Sequence, residues 1–319
     1  SNMEPGRRVT VFGGSGFIGR HVVGKLARQG WVVRACVRDP VDAAFLKPMG
    51  NVGQIVPMRT SLADDDAALA AAVEGSDAVV NLVGILAESG TQTFAALQAE
   101  GPARLARAAR AAGVASFVQI SALGADANSK SAYARSKAAG EAGVRAAFPA
   151  ATIIRPSIVI GTEDSFFNRF AQMATWLPAL PLIGGGETKF QPVYVGDVAE
   201  AVVRAIGNPA AQGKVFEAVG PRVYTFRELM EYLLVTIDRH RGLIPVPWPI
   251  AEIKGTILGM LPIKFLTRDQ VEQLKTDNVG TGAPGLEAFG IVPAAMEAVA
   301  PVYLAAYRRG GRFAKKASV

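Results

Sequence analysis

An α/β fold with a doubly wound parallel sheet, followed by a smaller and mainly helical C-terminal domain, is what this sequence predicts. The first sign is the run VTVFGGSGFIG at residues 9–19, where an apolar strand passes through glycines into a helix. The second is alternation. Up to residue 160, apolar strand-like runs and amphipathic helical stretches take turns without a break, as parallel βαβ units require. The third is a change of texture at Thr162, after which aromatic, Pro-interrupted and helix-capping segments take over. A first domain is therefore expected over residues 1–160, with 190–218 returning to it, and a second over 161–319.

Residues 9–12 form the first expected strand and 17–29 the helix after it. Gly13 lets the chain turn sharply, Gly16 removes a Cβ where a pyrophosphate would approach the backbone, and Gly19 lets the helix pack close to the strand. Backbone N–H groups at the helix start face an anion, so Ser15, Phe17, Ile18 and Arg20 join the three glycines as candidate nucleotide contacts. A second strand, WVVRACV at 31–37, ends at Val37 followed by Arg38. Dinucleotide folds that take NAD carry an acidic residue at this strand end, on the ribose 2′-hydroxyl, whereas a cation suits a 2′-phosphate. The expected cofactor is NADP(H) in preference to NAD(H), with Arg38 and Arg20 as phosphate partners.

The third strand, 53–58, leads through Thr60, Ser61 and Leu62 to DDDAALAAAVEG, a helix with Asp64 as its cap. The carboxylates at 64–66 suit a helix start and are read as structural, with no metal site. Strand four, 78–83, is a continuous apolar run, as a parallel strand covered on both faces should be, and its end at Val83 and Gly84 should flank the adenine. In the helix over 93–112, Arg104, Arg107 and Arg110 read as a solvated face. Strand five, 116–120, ends at Ser121. Tyr133 and Lys137 follow, four apart, so that on a helix they share one face. The ammonium could then lower the phenol pKa and reach a bound ribose, and the tyrosine could hand a proton to a carbonyl oxygen as hydride arrives. Strand six, 152–160, would carry Pro156 and Ser157 past the nicotinamide end of the cofactor.

The second half is less patterned. FFNRFAQMATWLPALPLIGGG reads either as a cover over the cofactor cleft or as core, and capping-box signatures at Thr225 with Glu228 and at Thr267 with Gln270 start two helices. The apolar stretch 243–266 is interrupted by prolines and charges, and no uncharged run reaches the roughly 18 residues a spanning helix needs. It could pack on its own domain, lie on a membrane surface or meet a partner.

The 319 residues are 50% hydrophobic and carry a net charge of +7 with a pI of about 9.6. That balance favours acidic partners, yet no nucleic-acid motif accompanies it, and the basic run RRGGRFAKK at 308–316 reads as a solvated tail. With one cysteine, Cys36, there is no disulfide framework, and His21 and His240 stand in no metal spacing. Ser1 and Asn2 ahead of Met3 look like an expression remnant, and MEPGRR lacks the apolar core of a signal peptide. A cytoplasmic location is expected, with a peripheral place on the cytoplasmic face of the inner membrane as an option.

Taken together, FGGSGFIG, YARSK, RPSIVIG and TKFQPVYVGDVAEAV resemble the extended and atypical short-chain dehydrogenase/reductase superfamily, which implies a Rossmann-type sheet. Within it, VRDPVDAAFLKPMGNVGQIVPM, NLVGIL and IGGGETKFQPVYVGDVAEAV look like the NAD(P)H-binding accessory subunit of respiratory complex I and its bacterial relatives. The resemblance implies a pyrophosphate loop at Gly13, Gly16 and Gly19, a catalytic pair in Tyr133 and Lys137, and an adenine-side loop at Ser61 and Leu62. There are departures. Ala122 stands where a catalytic hydroxyl usually is, leaving Ser121 as its substitute, and Ser61 replaces an acidic adenine contact. The interval from Ser121 to Tyr133 is also shorter than in epimerases of the superfamily. These changes count against turnover and leave nucleotide binding intact.

Three functions follow from this reading. One is an accessory or assembly subunit of respiratory complex I with a structural nucleotide and complex I subunits as partners. The second is a soluble NADP-dependent reductase or epimerase/dehydratase-type enzyme using Tyr133, Lys137 and Ser121. The third is a regulator that senses the redox state of NADP(H).

Overall fold

The computed structural model describes residues 7–258 and 266–310. Ser1 and Asn2, residues 259–265 of the apolar stretch and the basic end from 311 onward lie outside the described residues. The chain divides into two compact units, Ser1–Pro156 with Val195–Ala218 and Gly282–Val292, and Ser157–Tyr194 with Val219–Thr281 and Pro293–Val319.

The first unit is built on one seven-stranded sheet. Its strands are β1 (Arg8–Phe12), β2 (Val32–Val37), β3 (Ile55–Arg59), β4 (Ala78–Asn81), β5 (Ser116–Ile120), β6 (Thr152–Pro156) and the strand Val215–Ala218. From one edge to the other the order is Val215–Ala218, β6, β5, β4, β1, β2, β3, and every pairing is parallel. The order reverses between β1 and β4, which opens a crevice at the carboxyl ends of those strands. Four helices fill the crossovers used below: α1 (Phe17–Arg28), α2 (Asp66–Val73), α3 (Gly101–Ala111) and α4 (Ala132–Ala147). Leu69 and Val73 of α2, Leu105 and Ala109 of α3 and Val144 of α4 pack with Phe12, Val79 and Phe117 of the strands in one apolar core. α1 packs against the helix Val195–Ala205, where Lys25 and Glu200 pair at 3.1 Å.

Four details depart from the sequence reading. Strand four stops at Asn81, because the Asn81 carboxamide oxygen takes the Val83 N–H at 3.2 Å and turns the chain. The helix expected over 93–112 opens with a π-helical segment, Ala95–Glu100, before α3. The cap of α2 is Asp65, whose carboxylate accepts from the Ala68 N–H at 2.9 Å, while Asp64 accepts from the Ser61 N–H at 3.0 Å. Strand six is two strands. β6 ends at Pro156, which brings no N–H to a ladder, and Val159–Ile160 pairs instead with Val193–Tyr194.

The segment Gly282–Val292 lies along the edge strand of the first unit. The Glu217 N–H donates to Pro284 O at 2.9 Å, Arg204 donates to Phe289 O at 2.7 Å, and the rings of Phe216 and Phe289 meet at 4.7 Å.

In the second unit the aromatic run is core. Phe167, Phe170, Phe190 and Phe226 are buried, and Phe166 stacks among them, while Trp176 is exposed. Both expected capping boxes are present, at Thr225 with Glu228 and at Thr267 with Gln270. Of the apolar stretch, Gly242–Val246 is a strand paired with Ala179–Ile183, and Trp248–Leu258 is a helix whose Ala251 packs with Ile183, Leu266 and Val271. Among the described residues no helix is long and apolar enough to cross a membrane, and no group of three or more His, Cys, Asp or Glu could hold a metal ion.

Candidate functional site

The glycine loop after β1 is shaped by contacts that only glycine allows. Gly13 has φ +78°, and a Cβ on it would lie 3.0 Å from Leu82 C in the turn after β4. A Cβ on Gly19 would lie 1.9 Å from Gly13 O, so α1 rests directly on the loop. Gly16 is the N-cap of α1, exposed, with no side-chain cap and no acidic residue in the first turn. A helix start of this kind favours an anion. Ser15, Phe17 and Ile18 are half-buried around it, and Arg20 donates to Gly16 O and Ser15 O at 3.3 Å each while its guanidinium lies 4.9 Å over the Phe45 ring. Arg38 is exposed just beyond β2.

Across the crevice, α4 presents Tyr133 and Lys137 on one face, its start fixed by Ser131, whose hydroxyl accepts from the Ala134 N–H at 3.2 Å. The Lys137 Nζ lies 5.7 Å from the centroid of the Tyr133 ring, and the Phe94 ring meets that ring edge-on at 5.9 Å. Lys137 is buried, and burial lowers its pKa to about 8 against the opposing pull of the Glu141 carboxylate. Burial pushes the Tyr133 phenol up to about 12. The lowered phenol expected from the Tyr-Lys spacing is thus replaced by a raised one, because burial dominates. Gly84 completes the arrangement. A Cβ there would come 3.1 Å from Lys137 Nζ, so the lysine tip lies close against the turn after β4.

Several polar side chains that the sequence did not single out hold these parts together. Gln98, in the π-helical segment, accepts from the Ile85 N–H at 2.8 Å and donates to Ser136 Oγ at 2.9 Å, and Ser136 donates to Tyr133 O at 2.7 Å. A partly buried chain of hydrogen bonds therefore runs from the Gly84 turn to the backbone carbonyl of Tyr133. Ser121 is engaged elsewhere: its hydroxyl donates to Glu141 Oε2 at 2.5 Å. Glu141 is itself buried and takes Arg155 in a fork, Nε to Oε2 at 2.9 Å and Nη2 to Oε1 at 2.7 Å. A one-turn spacing from Lys137 to Glu141 was the only available sequence signal for this cluster.

The remaining candidates separate. Val83 is half-buried against the core and Leu62 fully buried beneath α3, while Ser61 turns its hydroxyl to the Ala63 N–H at 3.1 Å. Pro156 ends β6, and its carbonyl accepts from the Leu123 N–H at 3.1 Å. Ser157 opens the second unit, where its hydroxyl donates to Gln191 O. Arg104, expected on a solvated face with Arg107 and Arg110, instead reaches back to the Ser61–Leu62 loop, donating to Leu62 O at 3.0 Å. The Cys36 thiol is buried and pushed up to about 12 by that burial, which makes it unreactive.

The glycine cradle, the helix start and the lysine beside Gly84 form a site that could hold a dinucleotide, and known proteins bear on which lineage built it. Residues 9–218 match the NAD dependent epimerase/dehydratase family. The NADH dehydrogenase (ubiquinone) 1 alpha subcomplex subunit 9, mitochondrial, of Mus musculus is 39% identical over 294 residues, covering 90% of this chain and 77% of that protein. A ceramide reductase of Caulobacter vibrioides is 31% identical over 295 residues, covering 89% of this chain and 90% of that one. Among solved structures, the NADPH-dependent quinone oxidoreductase QOR2 of Escherichia coli, complexed with NADPH, matches with a TM-score of 0.72 at 22% identity, covering 92% of this chain and 99% of that chain. That last likeness is one of fold. With its sheet, its glycine loop and residues 9–218 of its 319 matched, this chain belongs to the NAD dependent epimerase/dehydratase family, on the short-chain dehydrogenase/reductase fold.

Proposed function

We propose that this chain is an accessory or assembly subunit of a respiratory NADH:quinone oxidoreductase that holds NADP(H) as a structural ligand. The observation that carries the reading is the 39% identity to a complex I subunit over 90% of the chain. The site's chemistry supports it. Pyrophosphate would lie on Gly13 to Gly19 at the start of α1, Lys137 would hold the ribose beside Gly84, and Arg38 with Arg20 would favour a 2′-phosphate. When bound, NADPH supplies a hydride. For a carbonyl to accept it, protein donors must wait at the oxygen, yet Ala122 has no hydroxyl and Ser121 is donating to Glu141. Of the hydroxyl candidates among the described residues, Tyr133 remains, its phenol raised to about 12. A nucleotide that is held and not turned over stabilises the fold by mass action, by about 2.7 kcal/mol at a hundredfold excess over Kd. The location that goes with this role is the cytoplasmic face of the inner membrane, as a peripheral protein.

A second reading, an NADP-dependent reductase, is favoured by the ceramide reductase likeness and by the intact pair Tyr133 and Lys137. A native gel of gently solubilised membranes, probed for this chain, separates the two. Co-migration with NADH:quinone oxidoreductase is the expected result. A chain found only in the soluble fraction overturns the accessory role and turns attention to carbonyl substrates, for which Tyr133→Phe should abolish turnover and spare nucleotide affinity.

A further inference from the structure

We propose that Arg104 is a positioning residue for the adenylate half of the nucleotide, acting through the loop that follows β3. The inference rests on the nucleotide-binding reading above. Three arginines one turn apart look alike in sequence, but Arg107 and Arg110 are exposed while Arg104 is half-buried. Its Nη1 donates to Leu62 O at 3.0 Å, its Nη2 donates to Asp64 O, and its Nε donates to Asp66 Oδ1 at 2.9 Å. One planar fork thus fixes two carbonyls of a loop and a carboxylate in the first turn of α2. A lysine could satisfy only part of this, because its ammonium is a point charge without the fork.

The loop is closed from its other sides as well. The Thr60 N–H donates to Val37 O at 3.2 Å, joining the loop to the end of β2. Within it, the Ser61 N–H donates to Asp64 Oδ2 at 3.0 Å and the Asp64 N–H to Ser61 O at 3.0 Å. Leu62 is buried under Gly101, where a Cβ would lie 2.8 Å from the Leu62 Cβ. These contacts hold the carboxyl end of β3 in one conformation beside the carboxyl end of β2, where the exposed Arg38 follows. A loop ordered in advance costs nothing to order when a ligand arrives, and Arg104 supplies the side-chain hydrogen bonds that reach it from α3.

The test uses the full chain with Arg104→Lys and Arg104→Gln, titrated with three probes: NADPH, 2′,5′-ADP, and reduced nicotinamide mononucleotide, which lacks the adenylate. Both variants should lose affinity for NADPH and 2′,5′-ADP by the same factor, about tenfold, with the mononucleotide changed less than twofold. Unchanged NADPH affinity, or an equal loss for all three probes, overturns the proposal, the second result marking Arg104 as merely structural. Hydrogen exchange at the Ser61 and Asp64 amides gives an independent reading, and should be slow in the wild type without nucleotide and faster in Arg104→Lys. Equal exchange in the two proteins also overturns it. Wild-type protein that binds neither NADPH nor 2′,5′-ADP overturns the nucleotide reading itself, and this inference with it.

Discussion

The Lys137 ammonium sits where burial opposes its charge and a single carboxylate, Glu141, favours it, and the balance leaves its pKa at about 8. An unfolded lysine keeps its proton to about 10.5, so between these values the unfolded chain binds more protons than the folded one. Stability should therefore rise as pH climbs from about 8 toward 10. Tyr133 works in the opposite sense. Its folded pKa of about 12 lies above the ordinary 10, so the unfolded chain ionises first and stability falls above pH 10. Denaturant midpoints of wild type and Lys137→Met at pH 7 and 9.5 check this. The rise, on the order of 2 kcal/mol, should be present in the wild type and absent in the variant. The Tyr133 and Lys137 pair was legible in sequence because a spacing of four on a helix is a local property. Ser121's partner was not legible, since Glu141 lies twenty positions further on, and only the packing of α4 against β5 and β6 brings them together.

At the scale of elements, the strand–loop–helix at residues 8–28 depends on how close α1 comes to the loop before it. Gly19→Ala would place a Cβ 1.9 Å from a backbone carbonyl that cannot move away without displacing the loop. The variant should lose nucleotide binding, and its thermal unfolding should shift downward by the several degrees that follow from a loss of about 2 kcal/mol. Calorimetry with and without NADPH reads both effects. A variant with normal melting and normal ligand response would contradict the close packing. Element types were readable from the sequence wherever periodicity was strong, as in β1, α1 and β5. Ends were less readable. The cap of α2 fell on Asp65 because side-chain geometry selects among three adjacent aspartates, and β6 stopped at Pro156 because a missing N–H ends a ladder that apolar pattern alone would continue.

At the scale of the whole chain, residues close to the C-terminus complete the first unit. Phe289 is buried on Phe216 at the sheet edge, and Arg204 holds its carbonyl. Phe289→Ala should cost about 3 kcal/mol, visible as a lower denaturant midpoint. A loss below about 1 kcal/mol would mean the segment contributes little to the edge. Nothing in the composition of residues 282–292 announces this return, because a short apolar and glycine-bearing segment suits many neighbours equally.

The sequence by itself determined the parallel α/β sheet, the glycine loop, the pairing of Tyr133 with Lys137 and the capping boxes at Thr225 and Thr267, all of which are written in residues a few positions apart. Backbone preference and periodicity act over that range. Only the tertiary structure decided that Ser121 serves Glu141, that Arg104 holds a loop about forty positions before it, that Gln98 links the Gly84 turn to Tyr133, and that the aromatic run is core. Each of these is the choice of a partner by a polar or apolar side chain leaving water, and that choice is made by whichever groups the packed elements bring within reach.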